Sequence, residues 1–223
     1  MDPRLRSAVD ASIGWYEDLC ALHGVGSILA NGLWSSRRPP PPLHSDAVVV
    51  EQSVTADAVL TRLADREHGG FKDSFSTIDM ADEGMDLLFA ASWIYRAPDA
   101  RPGESRGWAL VTTAAELAEW TAGHDTSAVL LPGLLQRGHF KILVKTDDQG
   151  HVAGAVARLG SGVVDVSNVH ARPGHSIDWA EQASAIHGYF PGRALVGYER
   201  GDDLAAAIDG GFESVGNLRV WVR

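Results

Sequence analysis

The chain has 223 residues, 45% of them hydrophobic, a mean hydropathy of -0.07 and a net charge of -10, the profile of an ordinary globule with a sizeable core rather than of a disordered or membrane-embedded chain. The acidic surplus offers no sequence-wide basic field and so argues against nucleic acid, and no apolar run approaches the roughly 20 residues that cross a bilayer. The charged N-terminus MDPRLRSAVDASIGWYEDL has no signal-peptide core, and the lone Cys20 can form no internal disulfide, so a reduced cytoplasm is the expected compartment.

In chain order, Arg4 to His23 carries Leu5, Val9, Ile13, Tyr16 and Leu19 with Cys20 on one helical stripe, ended by Gly24 and Gly26. On this stripe Cys20 reads as a buried helix residue, with no His or Asn pattern to mark a nucleophile. The prolines Pro39 to Pro42 form a stiff extended run, either a surface spacer or a ligand for an aromatic groove. Ala47 to Val50 reads as a strand. Thr55 to Asp65 reads as a helix with Val59, Leu60 and Leu63 inward. Phe75 to Met80 is expected to be a strand, and Asp82 to Arg96 a helix burying Met85, Leu88, Phe89 and Trp93. The Pro-, Gly- and charge-rich segment Asp99 to Arg106 reads as a linker. The expected division is therefore 1–98, a linker at 99–107, and 108–223.

Past the linker, Trp108 to Thr112 reads as a strand and Thr113 to Gly123 as a helix with Leu117 and Trp120 inward. Ile142 to Thr146 and His151 to Arg158 form a hairpin about the turn residues Asp147, Asp148, Gln149 and Gly150. Val163 to Val169 is a strand and Ser176 to Tyr189 a helix. The chain closes with a buried strand from Ala194 to Glu199, then a short helix with Leu204, Ala205 and Ile208 inward, stopped by Gly210 and Gly211. Its last strand alternates Leu218, Val220 and Val222 with Arg219, Trp221 and Arg223, one face covered. The seven tryptophans read as core.

Strand, short Ala-rich helix, Gly211-Phe212 and a last strand resemble the closing third of the GNAT acetyltransferase superfamily. The resemblance covers Trp108 to Arg223, about half the chain. It implies an α/β (α+β) fold, a mixed, mostly antiparallel twisted sheet flanked by helices. Residues 45–98 would be a degenerate first copy, less complete than the C-terminal one. It also implies that the strand from Val163 splays from its neighbour to receive the pantetheine arm of acetyl-CoA or another acyl-CoA. Val166, Ser167 and Val169 would lie along the arm, with Arg172, Gly174, His175 and Ser176 near the pyrophosphate. HARPGHSIDW departs from the superfamily pattern in having one glycine where closely spaced glycines are usual, and Ser176 or Asp178 could equally be helix caps, with Glu181 completing a box for Asp178. Ala207 stands where many relatives carry a proton-donating tyrosine.

Tyr198 and Glu199, at a strand end, are the substitutes by position, Glu199 as a base if burial raises its pKa. Ser167, Asn168 and His170 form a polar cluster where an apolar strand should finish, which marks either a cavity or a satisfied network. There His170 is a candidate base, and Asn168 and Asp165 are candidate substrate contacts. No metal site is expected, because the nine histidines are scattered and no cysteine pair exists. No Gly-x-Ser-x-Gly elbow, Walker loop or dinucleotide fingerprint is present. The expected activity is N-acyl transfer from a thioester to a small-molecule amine, away from the membrane, with a homodimer left open. The alternatives are a catalytically inactive GNAT-shaped binding protein and, disfavoured by the acidic balance, a transferase using aminoacyl-tRNA.

Overall fold

The computed structural model describes residues 1–99, 105–148 and 150–223. The expected linker and the expected turn therefore lie partly outside the described residues. In the first half the elements are α1 (Pro3–Leu22), β1 (Ser27–Ala30), β2 (Leu33–Ser36), β3 (Ala47–Val49), α2 (Ala56–Arg62), β4 (Gly70–Asp73) and β5 (Asp86–Arg96). The second half has β6 (Trp108–Leu110), α3 (Ala114–Ala122), β7 (Phe140–Asp147), β8 (Gly150–Gly160), β9 (Val163–Ala171), α4 (Trp179–Tyr189), β10 (Leu195–Glu199), α5 (Gly201–Asp209) and β11 (Glu213–Val222). Local chemistry explains several boundaries. Asp2 caps α1, Thr55 caps α2, and Thr113 with Glu116 closes a full capping box on α3.

All the strands join one sheet in the order β1-β2-β3-β4-β11-β5-β10-β9-β8-β7-β6. Only β3 with β4 and β9 with β10 run parallel; the other neighbours are antiparallel. Read outward from β11 and β5, each wing has a strand that pairs in parallel with the next through a helical crossover, α2 on one side and α4 on the other. Further out come antiparallel strands. Each wing's last strand inserts beside the other wing: β5 pairs with β10, and β11 pairs with β4. Described strands from either side of residues 99–107 thus share one sheet.

Four expectations are corrected here. Residues Phe75 to Met80 form no strand. The Asp73 carboxylate accepts from the Phe75 and Ile78 amides at 3.0 and 2.7 Å, folding the chain into a turn directly after β4. Residues Asp82 to Arg96 are not a helix. A short 3-10 turn, Ala81–Glu83, leads into β5, whose backbone is paired on both edges by β10 and β11. Towards its C-terminal end both faces of β5 are covered, so Trp93 and Ile94 are buried side by side, whereas its start is open and Leu88, expected inward, is 57% exposed. In α5, Ala207 rather than Ala205 or Ile208 is the fully buried residue. Trp221 is buried alongside Val220, because β11 is also central and covered on both faces.

Successive residues of β10 and β5 enter different cores. Val196 and Trp93 pack in the cluster containing α1, while Leu195 and Ile94 pack with Trp179, Ile186, Ala207 and Phe212 of the α4 and α5 side. One face of the sheet therefore carries α1 and the other α4 and α5. No helix among the described residues is long and apolar enough to cross a membrane.

Candidate functional site

The site begins with a fault in β9. It pairs with β10 at Val164 with Leu195 and at Asp165 with Val196, and there the pairing ends, although both strands continue. A bulge follows directly. Between Ser167 and His170 the register with β8 slips, with Asn168 in the left-handed region at φ 51°, a conformation asparagine tolerates better than most residues. Across this stretch β9 is bulged while β10 stays zipped to β5 as far as Glu199 opposite Ser92. The two parallel strands consequently part at their C-terminal ends. At the root of the gap the approach is tight: a Cβ on Gly197 would stand 2.6 Å from the Val166 carbonyl oxygen.

A cavity of about 270 Å³ opens beside this gap on the α1 face. From β9 it is lined by Asp165, Val166, Ser167, Asn168 and Val169, and from β10 by Tyr198 and Glu199. The structure thus brings together seven of the site residues expected from sequence. The remainder of the lining comes from elsewhere in the chain: Ser12, Trp15 and Tyr16 of α1, Leu43, His44, His124, Val129, and Lys72 of β4.

Lys72 was not expected at the site. It is 2% exposed, donates to Ser12 Oγ at 3.2 Å, and lies 4.5, 4.8 and 5.6 Å from the ring centroids of Tyr198, Tyr16 and Trp93. Burial works to lower its pKa, but Tyr16, Tyr198 and Asp165 outweigh it and hold the ammonium charged. A signal existed in the sequence: a lysine inside the short stretch Gly70-Phe71-Lys72-Asp73, where a buried strand should carry none. The N-terminal lining as a whole was invisible locally, because Lys72 reaches the site through pairing of β4 with β11, and Ser12, Trp15 and Tyr16 through packing of α1 on the sheet.

The carboxylates are perturbed in the direction a base requires. Burial, with Asp203 adding and Arg200 opposing, pushes Glu199 up to about 8. Burial raises Asp165 to about 6 against the pull of Arg158 and Lys72, and its carboxylate accepts no hydrogen bond among the described residues. His44 is held neutral, its pKa lowered to about 4 by burial. Trp15 Nε1 donates to its Nε2 at 3.0 Å, so Nδ1 carries the proton to the Pro42 carbonyl at 2.9 Å. The proline run thereby fixes a wall of the cavity.

His170 is placed differently. Its ring lies edge-on to Trp120 at 4.6 Å and stacks on His124 at 4.4 Å, and it is His124 that reaches the cavity. Burial lowers both imidazoles, His124 to about 4. Arg172, Gly174, His175 and Ser176 lie in the loop between β9 and α4, with Arg172 Nη2 3.8 Å from Glu119. The helix starts at Trp179, three residues later than expected, because Asp178 is its cap and accepts from the Glu181 amide at 2.9 Å. Ala207 is fully buried against the α4 side and brings no hydroxyl. Among the described residues no three His, Cys, Asp or Glu side chains gather as a metal site would need.

No family model and no curated protein matches this chain. Solved structures do. A GCN5-related N-acetyltransferase from Kribbella flavida is similar with a TM-score of 0.62 at 16% identity, over 96% of this chain and 95% of that one. A GCN5-related N-acetyltransferase-like protein from Streptococcus suis is similar over the whole of both chains, with a TM-score of 0.60 at 12% identity. An acetyltransferase of the GNAT family from Colwellia psychrerythraea is similar at 10% identity with a TM-score of 0.51, over 97% of this chain and 93% of that one.

Proposed function

We propose that this chain, which has the fold of the GCN5-related N-acetyltransferases, transfers an acyl group from acyl-CoA or a related thioester to the amine of a small molecule. The observation that carries the reading is the gap between β9 and β10, with Glu199 at its tip and a closed-in cavity beside it. A pantetheine arm laid along the freed edge of β9, past Val166, Ser167 and Val169, would bring its thioester to the mouth of that cavity. A neutral amine attacks the carbonyl carbon, the C–N bond forms, and backbone N–H groups of the bulge stabilise the oxyanion. Glu199 takes the amine proton. As the C–S bond breaks, the thiolate is protonated by Tyr198. Lys72 pulls the phenol's pKa down, but burial and the neighbouring Tyr16, Asp165 and Glu199 outweigh that pull, so it keeps its proton until needed. His170 acts only through His124.

Phosphates would rest on Arg172, His175 and the backbone about Gly174, which stands at φ 87°. The start of α4 is already capped by the Asp178 carboxylate, which disfavours a phosphate directly on the helix. That cap is the observation favouring the second reading, a GNAT-shaped binding protein without transfer. The two wings with exchanged last strands fit two copies of one unit, the C-terminal one carrying the chemistry, in a cytoplasmic protein.

Thermal shift with acetyl-CoA and longer acyl-CoAs tests the reading, together with thiol release in the presence of amines. A raised Tm and released thiol are expected. Cys20 does not confuse the readout, since it is buried and its thiol is pushed up to about 11 by desolvation. A raised Tm without thiol release supports the binding protein, and no shift with any thioester removes the transferase.

A further inference from the structure

The cavity holds a buried ammonium that forms no ion pair with a described carboxylate. Lys72 is fully buried, yet its close polar neighbours are the neutral oxygens of Ser12 and Tyr16, and no carboxylate lies within 4.0 Å of its Nζ among the described residues. A buried ammonium without a counter-ion is costly unless something else supplies one. Asp165 shows the converse: it is 7% exposed, lines the same cavity, and accepts no hydrogen bond from a described residue. A cation and an anion that share a small cavity without touching provide complementary ends for a ligand with both charges.

We infer that the acyl acceptor is an amino acid with an apolar side chain, its carboxylate paired with Lys72 and its amine held by Asp165 and presented to Glu199. A carboxylate suits the site better than a phosphate. One lysine without an arginine or an open helix end meets it, and the nearby Asp165 carboxylate would repel a dianion. The side chain also has somewhere to go. A second cavity of about 380 Å³ shares Tyr16, Leu43, His44, Lys72 and Tyr198 with the first and continues along Leu88, Phe89 and Val220. This inference rests on the acyltransferase reading for the reaction, but its binding claim stands apart from it.

The test is equilibrium binding to the full chain of L-leucine and L-phenylalanine against isoamylamine and phenethylamine, which lack only the carboxylate. Each amino acid is expected to bind at least about tenfold more tightly than its amine, as a charge-assisted contact implies. Lys72→Met should abolish that preference and leave the acyl-CoA thermal shift in place, whereas Lys72→Arg should keep part of it. Equal or tighter binding of the amines, no binding of either class, or an undiminished preference in Lys72→Met overturns the inference. Should Lys72→Met not fold, the wild-type comparison and Lys72→Arg decide. A missing acyl-CoA shift with the amino-acid preference intact would remove the transferase reading alone.

Discussion

Asp165 and Val196 form the last rung between β9 and β10, and the next residue of β10, Gly197, sits where a side chain would strike the Val166 carbonyl. The gap therefore opens from a closely held root. A methyl group on Gly197 would meet main-chain oxygen at 2.6 Å, which cannot turn aside as a flexible side chain could. Gly197→Ala is expected to destabilise the chain by about 1–3 kcal/mol, the usual cost of overpacking. Urea denaturation checks this, and an unchanged midpoint would contradict the tight root.

The bulge makes a separate prediction. Asn168 holds φ 51° without being glycine, so the geometry depends on a residue that tolerates it. Asn168→Gly should keep both stability and the acyl-CoA shift. Asn168→Val should lose about 1–2 kcal/mol, because a branched side chain resists the left-handed region, and should weaken the acyl-CoA shift as β9 straightens. Equal behaviour of the two variants would show that the bulge does not depend on this residue.

Glu199 couples activity to pH and to stability with opposite signs. With the carboxyl pushed up to about 8, chiefly by burial, the base is mostly protonated at neutral pH. The rate kcat/KM should therefore climb through the pH range below about 8 and level off above it. Glu199→Gln should lower the rate by about 10²–10⁴ and flatten the climb. For stability, a raised folded pKa favours the neutral form. The stability associated with it is intact below the ordinary carboxyl pKa of 4.5 and is lost as pH rises through about 8. Glu199→Gln should thus match the wild type near pH 4 and exceed it near pH 9, by about 1 kcal/mol or more. Denaturation at the two pH values separates this from a residue that is merely solvated.

The sequence made the C-terminal wing legible because its strands and helices carry their own periodicity. Val163 to Val169, the Asp178 cap, Ala194 to Glu199 and Gly211 are local signals, and the polar residues Asp165, Ser167 and Asn168 interrupt an apolar strand at the place where the cavity opens. β5 reads as a helix in sequence because Met85, Leu88, Phe89 and Trp93 happen to fit helical spacing, while what makes it a strand is the pair of neighbours, β10 and β11, which follow it far along the chain. The hairpin β1–β2 went unread for a related reason: at four residues each, its strands are too short to show a period. Lys72, Ser12 and Tyr16 were missed as site residues because nothing near them in sequence indicates that β4 will lie beside β11 or that α1 will pack across β5 and β10. The sequence suggests the base and the gap; only the folded sheet reveals the cation opposite them.

The same long-range dependence makes Asp18 a point of weakness. On α1, four residues beyond Gly14, its carboxylate accepts from Arg137 Nη1 at 2.5 Å, Arg158 Nε at 2.6 Å and His139 Nε2 at 3.0 Å. Burial works to raise its pKa, but Arg158 and His139 outweigh it and hold the carboxyl below its ordinary value of 3.8. A lowered folded pKa gives stability that is present above 3.8 and is lost as pH falls through the lowered value. Asp18→Asn leaves two guanidinium groups without their shared anion, and should cost about 2–4 kcal/mol at neutral pH, less than for a fully buried pair because the carboxylate keeps 19% of its side chain exposed. The difference from the wild type should shrink in acid below that window. Because α1 also carries Ser12 and Tyr16 against Lys72, and Arg158 also acts on Asp165, the variant should weaken amino-acid binding even at temperatures where it remains folded. Full stability at neutral pH in a denaturant titration would show that α1 is held by its apolar face alone.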